Sequence, residues 1–287
     1  MPELPEVEVV KKSLQKEIIN LIIKKVKIND INLRYKVKKQ DFRKIIGSKV
    51  LKVNRRSKYL LVFLTNNKVM TIHLGMTGKF FVLKKNSVKK TSFYYDVKSK
   101  NKNHDRIIFY FNNNVCLIYN DVRKFGFIKI LKLNDLKNNK HFKILGPEPI
   151  SSLYSLKYFK NYIIGRNKNI KNLLMDQKFI SGLGNIYVNE ILFFSKIRPT
   201  KKINKLKEIH LKLIIKNTKN VLKKAINLGG SSIKDFSNSS GKKGNFQDHF
   251  SVYGKKGYKC NKYNCNGIIK KVVISNRASF FCPICQK

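Results

Sequence analysis

The chain has 287 residues, enough for two domains of ordinary size, and its 42% hydrophobic content supports a real core. That excludes a merely disordered basic tail, although the formal net charge is +46. Apolar runs stay well short of the roughly 18 residues of a membrane span, and a start carrying Glu3, Glu6 and Glu8 is not a signal pattern, so a soluble, cytoplasmic protein is expected. A surface of this charge repels itself unless it meets a polyanion, which makes nucleic acid the first partner to consider. Only nine of the 62 cationic residues are arginine. Lysine, asparagine and isoleucine have AT-rich codons, so part of the charge reflects genome composition. The arginines are therefore more informative, because lysine cannot replace their planar fork.

In chain order, residues 5 to 19 read as a helix. Pro5 suits its first turn, Glu6 and Glu8 favour its positive end, and Val7, Val10, Leu14 and Ile18 share one face. From about 26 to 130 the pattern changes to short β-like runs: 59–64, 69–72, 106–111 and 115–119, the last holding Cys116 as a small core residue. Many short strands imply a sandwich or barrel. Leu145-Gly146-Pro147-Glu148-Pro149-Ile150 can continue neither a helix nor a central strand and reads as a hinge. Residues 153 to 228 are largely helical, with a stripe at Leu206, Ile209 and Leu213. The Gly/Ser/Lys-rich stretch from Gly229 to Gly244 is too polar to pack and reads as a mobile loop.

Four of five cysteines fall in the last 28 residues, as Cys260-x4-Cys265 and, sixteen residues on, Cys282-x2-Cys285. Close pairs flanking a strand-like stretch (268–274) can put four thiolates around one tetrahedral zinc ion. Four thiolates leave no open coordination position, so the ion is structural and stiffens a β-hairpin whose tip offers Arg277. At the other end, removal of the initiator methionine would expose the secondary amine of Pro2. With a reference α-amine pKa of about 7.7–8.0, roughly a tenth of it is neutral at pH 7. Such an amine can attack a sugar C1′ and form an iminium ion, with Glu3 moving protons.

Pro2-Glu3-Leu4-Pro5-Glu6-Val7-Glu8 resembles the opening of the formamidopyrimidine-DNA glycosylases. The resemblance continues through Arg55-Arg56-Ser57-Lys58-Tyr59, His73-Leu74-Gly75-Met76-Thr77-Gly78 and Asp121-Val122-Arg123-Lys124-Phe125-Gly126. It recurs at Leu145-Gly146-Pro147-Glu148-Pro149, at Gly182-Leu183-Gly184-Asn185-Ile186-Tyr187 and at Asn276-Arg277-Ala278-Ser279-Phe280-Phe281-Cys282. It covers essentially the whole chain. It implies an α+β fold: an N-terminal β-sandwich with a leading helix (2–135), a hinge (136–150), a helical helix–two-turns–helix domain (151–228), a mobile lesion loop (229–249) and a zinc-finger β-hairpin (250–287).

The function implied is that of a bifunctional DNA glycosylase and AP lyase of base excision repair, a nucleoid-associated bacterial monomer acting on damaged double-stranded DNA. It would excise 8-oxoguanine and formamidopyrimidines through a Pro2 Schiff base followed by β,δ-elimination. By resemblance, Pro2 is the nucleophile, Glu3 its proton-transfer partner, Lys58 the lysine of β-elimination and Arg277 the finger arginine of δ-elimination. Met76, Arg123 and Phe125 match the triad that fills the gap left by an everted nucleotide, and Arg106, Arg166, His73 and Asn185 are expected DNA contacts. Several departures from the family pattern stand out. The first cysteine pair has four intervening residues instead of two, and Val122, Lys124 and Asn172 replace an expected proline, arginine and proline. Two other readings remain: a non-catalytic zinc-finger DNA-binding protein, and an oxidised-pyrimidine enzyme of the endonuclease VIII type.

Overall fold

The computed structural model describes residues 2–84, 87–90, 101–231 and 245–287, so most of the expected lesion loop lies outside the described residues. The chain forms two compact units. One comprises residues up to Lys143 together with the segment Leu228–Asn245; the other comprises Ile144–Asn227 and Phe246–Lys287.

The first unit opens with helix α1 (Leu4–Ile18), whose expected apolar face (Val7, Val10, Leu14, Ile18) is buried. The elements that follow are β1 (Ile23–Ile28), α2 (Lys39–Arg43), β2 (Val50–Arg56), β3 (Tyr59–Leu64), β4 (Lys68–His73), β5 (Lys79–Lys84), β6 (Ser87–Lys90), β7 (Asp105–Phe111), β8 (Val115–Asn120), β9 (Phe127–Lys132) and the short α3 (Lys140–Lys143). They make two antiparallel sheets, β1-β7-β8-β5-β6 and β2-β3-β4-β9. Inward residues of both sheets, among them Val53, Val62, Met70, Phe80, Phe109 and Leu117, join Val10 and Leu14 of α1 in one core. Burying each such side chain contributes about 1.5–3 kcal/mol. Period-2 alternation turns Leu117 and Tyr119 inward and leaves Cys116 half-buried on the other face, rather than in the core as expected. The β7–β8 hairpin closes through Asn113 and Asn114, both left-handed (φ 57° and 54°), the geometry that matches strand twist in a two-residue turn.

The second unit holds α4 (Leu156–Ile163), α5 (Ile170–Met175), α6 (Asn185–Phe194), α7 (Glu208–Asn227) and the hairpin β10 (Lys270–Ile274) and β11 (Arg277–Phe281). Ser155 and Asn169 cap α4 and α5, accepting from the N–H groups of Tyr158 and Asn172 at 3.2 and 2.8 Å. Helix α6 is buried along nearly its whole length. Its Glu190, fully buried, accepts from the N–H groups of Ser251, Val252 and Tyr253 at 2.8–3.0 Å and so fixes the chain leading into the cysteine-rich segment. The last residues of the expected mobile loop, Phe246–His249, form a 3-10 turn. Phe246 is buried there against Tyr187, an aromatic anchor that polar loop composition elsewhere in the stretch concealed. Among the described residues, no helix is long and apolar enough to cross a membrane.

Two loops of the first unit, at 74–78 and 121–126, approach so closely that only glycine fits between them. A Cβ on Gly75 (φ 61°) would sit 2.4 Å from Gly126 N, and one on Gly126 would sit 1.9 Å from the Oη of the buried Tyr119. Gly126→Ala is expected to destabilise the unit by about 1–3 kcal/mol through overpacking. Thermal unfolding checks this; an unchanged transition temperature would show that the loops can part without cost.

Candidate nucleic-acid interface and metal centre

The N-terminal residues are held by one carboxylate. Pro2, Glu3 and Glu6 are all buried. Glu6 Oε2 accepts from the Glu3 N–H at 2.8 Å, as a carboxylate at the third helical position can. Its Oε1 accepts from the Ser231 N–H at 2.8 Å and from the Ser231 hydroxyl at 3.0 Å. Glu6 thus ties the residue after Pro2 to the segment leaving α7. Sequence reasoning singled out Glu3 and used Glu6 only as a helix-dipole residue.

Lys58 is buried in the two-residue turn between β2 and β3, behind the left-handed Ser57 (φ 55°). That turn is braced by Arg55, whose Nη1 donates to Ser57 O at 2.9 Å and whose Nε donates to Glu8 at 2.7 Å. Burial alone would raise the Glu8 pKa, but hydrogen bonds from Lys11 and Arg55 outweigh it and hold the carboxyl below its ordinary value. His73, at the end of β4, stacks on Phe127 (5.7 Å, 13°) beside Tyr59. Its Nδ1 accepts from the Gly75 N–H at 3.0 Å, leaving Nε2 to carry the proton of the neutral ring. Burial, reinforced by Lys58, Arg34 and His141, lowers its pKa to about 4.

Met76, Arg123 and Phe125 are exposed on the two close-packed loops of the same unit. Asp121, fully buried, accepts from the Thr77 hydroxyl (2.5 Å), the Tyr119 hydroxyl (3.1 Å) and the Gly126 N–H (2.9 Å). The Thr77 hydroxyl in turn receives the Arg123 N–H at 3.0 Å. The Arg123 guanidinium lies over the Phe125 ring at 4.6 Å, a cation–π pair facing solvent. Arg106 departs from expectation. It is only 8% exposed and its guanidinium is directed into the fold, not towards a partner.

In the second unit, Arg277 is exposed at the start of β11, behind the left-handed turn residues Ser275 and Asn276 (φ 47° and 57°). The hairpin beside it is clamped from below. Lys171 Nζ donates to Ala278 O (2.9 Å) and Ser279 Oγ (2.6 Å), and Asn172 Nδ2 donates to Ser275 Oγ (2.9 Å). Burial and then the nearby Arg277 lower the Lys171 pKa to about 8. Asn172 therefore supplies a bond that the expected proline could not. Asn185 does not cap α6, which Gly184 leads; its Nδ2 donates to Ala278 O at 3.0 Å and so also holds the hairpin. Arg166 is exposed, lies over the Tyr162 ring at 4.3 Å and donates to Tyr162 O.

The sulfurs of Cys260, Cys265, Cys282 and Cys285 all lie within 4.8 Å of one another. The Cys260–Cys285, Cys265–Cys282 and Cys265–Cys285 separations are 3.9, 3.6 and 3.3 Å. Tetrahedral thiolates about 2.3 Å from zinc would stand about 3.8 Å apart, so the four residues fit that ion. Gly267 leaves the needed room: a Cβ there would lie 2.6 Å from Cys282 Sγ. The wider first pair is absorbed by a turn in which the Cys265 N–H donates to Lys262 O at 3.2 Å and Asn264 is left-handed (φ 55°).

A pH prediction follows from His73. With a folded pKa of about 4 against an ordinary 6.5, the unfolded chain takes up the proton first as pH falls. The associated stability is complete above about pH 6.5 and is lost progressively down to pH 4. Between pH 7 and 4.5 the wild type should lose about 2.5 kcal/mol more than His73→Gln, read from urea midpoints. Parallel pH profiles would refute the assignment.

Comparison with known proteins agrees with this architecture. Residues 1–128 match the formamidopyrimidine-DNA glycosylase N-terminal domain and residues 145–237 its H2TH domain. The chain is 41% identical over 286 residues to a formamidopyrimidine-DNA glycosylase of Rickettsia canadensis, covering 100% of this chain and 99% of that one. It is 40% identical to a Rickettsia bellii counterpart, with both chains covered completely. Among solved structures it is similar to a Lactococcus lactis Fpg mutant in complex with Fapy-dG containing DNA (TM-score 0.86, 33% identity, 100% of both chains). It is also similar to the Lactococcus lactis enzyme bound non-covalently to DNA containing an AP site (TM-score 0.84, 31% identity, 99% of both chains). The chain is a member of the formamidopyrimidine-DNA glycosylase family, DNA glycosylases of base excision repair.

Proposed function

We propose that the chain is a bifunctional glycosylase and AP lyase that removes oxidised purines, 8-oxoguanine and formamidopyrimidines, from double-stranded DNA. The observation that carries this reading is the buried Pro2–Glu3 start, with Glu3 anchored through its backbone N–H on Glu6. Freed of Met1, the neutral Pro2 nitrogen attacks C1′ of an everted nucleotide. The glycosidic electron pair leaves with the base, and Glu3 protonates the opening sugar oxygen to give a Pro2 iminium. Loss of a C2′ proton expels the 3′ phosphate in β-elimination, in which Lys58 acts as an acid. A second elimination expels the 5′ phosphate, in which the Arg277 fork steadies the departing charge.

The base must leave the stack before C1′ can be reached. The solvent-facing Met76, Arg123 and Phe125 suit the gap this creates, two apolar wedges and one cation for the orphaned base. His73, neutral with Nε2–H available, donates to a phosphate oxygen, and Arg166 offers a second backbone contact. Cys260, Cys265, Cys282 and Cys285 hold one structural zinc ion, which when bound supplies a rigid base to the Arg277 hairpin.

Two experiments test this. Borohydride should trap mature protein covalently on 8-oxoguanine:C duplex; intact mass should show a chain lacking Met1, and peptide mapping should place the adduct at Pro2. Absence of any adduct, or retention of Met1 in active protein, would defeat the mechanism. Removing the metal should release one zinc per chain, unfold the hairpin and weaken DNA binding; a verified apo protein that binds unchanged would show that the ion has no such role.

A further inference from the structure

Arg106 reads from sequence as a DNA contact, yet each of its guanidinium nitrogens has a partner inside the fold. Nε donates to Asp121 O at 2.9 Å, and Nη1 to Asp30 Oδ2 at 3.2 Å and Asn103 O at 3.3 Å. Nη2 lies 3.2 Å from His104 Nδ1. The Arg106 carbonyl, in turn, accepts from the N–H groups of Asn29 (2.9 Å) and Asp30 (3.3 Å). One strand residue therefore grips both the 29–34 segment and the root of the 121–126 loop.

Asp30 completes the clasp. Its Oδ2 also receives Lys124 Nζ at 2.8 Å, its Oδ1 receives the Asn32 N–H at 2.8 Å, and Arg34 N donates to Gly126 O at 3.2 Å. Lys124 is left-handed (φ 59°), a conformation a non-glycine residue adopts when its surroundings hold it there. It is also one of the positions where the chain departs from the family pattern. Its two neighbours are Arg123 and Phe125, the stacked pair that faces solvent. The lysine ammonium, fixed on Asp30, pins the middle of a tripeptide whose two ends are meant to enter DNA.

We propose that Arg106 and Asp30 are positioning residues: they hold Lys124 in place and thereby present Arg123 and Phe125, already stacked, to the space vacated by an everted nucleotide. The cation of Arg106 acts on the reaction through this loop and touches no phosphate. The inference rests on the reading that Arg123 addresses the orphaned base.

The test uses the full-length zinc-loaded chain and one lesion strand, with 8-oxoguanine placed opposite either cytosine or a three-carbon abasic linker, which has no base to address and no C1′ for the lyase to attack. Asp30→Asn and Arg106→Lys should lower kcat/KM opposite cytosine by roughly tenfold relative to the abasic-opposed duplex, as small misplacements of a positioning group do. Asp30→Glu, which keeps the carboxylate, should recover most of that ratio, and the slope of log affinity against log salt should stay at its wild-type value. A slope reduced by about 0.9, with both duplexes affected alike, would make Arg106 a phosphate contact and overturn the proposal. Equal losses on both duplexes that follow the melting temperature would overturn it in favour of a purely structural role. Arg123→Ala separates the two levels. If it leaves the cytosine-to-abasic ratio unchanged, the reading of Arg123 fails and the inference falls with it; if it lowers the ratio and the Asp30 and Arg106 variants do not, the positioning role alone is refuted.

Discussion

Asp121 places a carboxyl group in a fully buried position, which is tolerable only because donors surround it. Those donors are a side chain of one exposed loop, a backbone N–H of the other, and a tyrosine of the core. The hydrogen-bonding requirement of one buried carboxyl group thus joins both exposed loops to the sandwich. The close glycine contacts around Tyr119 then remove the slack that hydrogen bonds alone would leave. The exposed side chains at Met76, Arg123 and Phe125 are mounted on that assembly, so their presentation is a property of the core beneath them.

Rigidity recurs around each residue to which the proposed mechanism gives a role. Arg55 braces the turn that carries Lys58, and Glu6 fixes the residue next to Pro2. Lys171, Asn172 and Asn185 lock the hairpin beside Arg277. In each case a polar side chain is spent on nearby backbone or hydroxyl groups, Glu6 on N–H donors and the others on carbonyl or hydroxyl oxygens, trading solvent contact for placement. Several cations that raise the net charge are of this kind, which is why counting them says little about where nucleic acid would lie.

Much of the architecture was legible in local pattern. The apolar face of α1, the strands at 59–64 and 115–119, and the convergence of the cysteines all follow from periodicity or spacing that a single stretch of chain displays. What local pattern conceals is partnership across distance. Arg106 meets Asp30, 76 residues away, and Lys171 meets Ala278, 107 residues away. On a strand or at a helix start, each looks like an ordinary solvated cation. Phe246 was hidden for the opposite reason, a single aromatic anchor among glycine, serine and lysine. The roles given to Pro2, Glu3, Lys58 and Arg277 came from motif resemblance, since no periodicity distinguishes a nucleophile from a helix-leading proline.

The bond between Glu6 and Ser231 spans 225 positions within a first unit that is discontinuous in the chain. A ribosome releases the sandwich strands long before it releases Ser231. Until then the first helix has one carboxylate oxygen without its eventual donors, and the anchorage around Glu3 is unfinished. Vectorial synthesis therefore delivers a folded sandwich early and a completed amino-terminal anchorage late, after all of the intervening helices have been made.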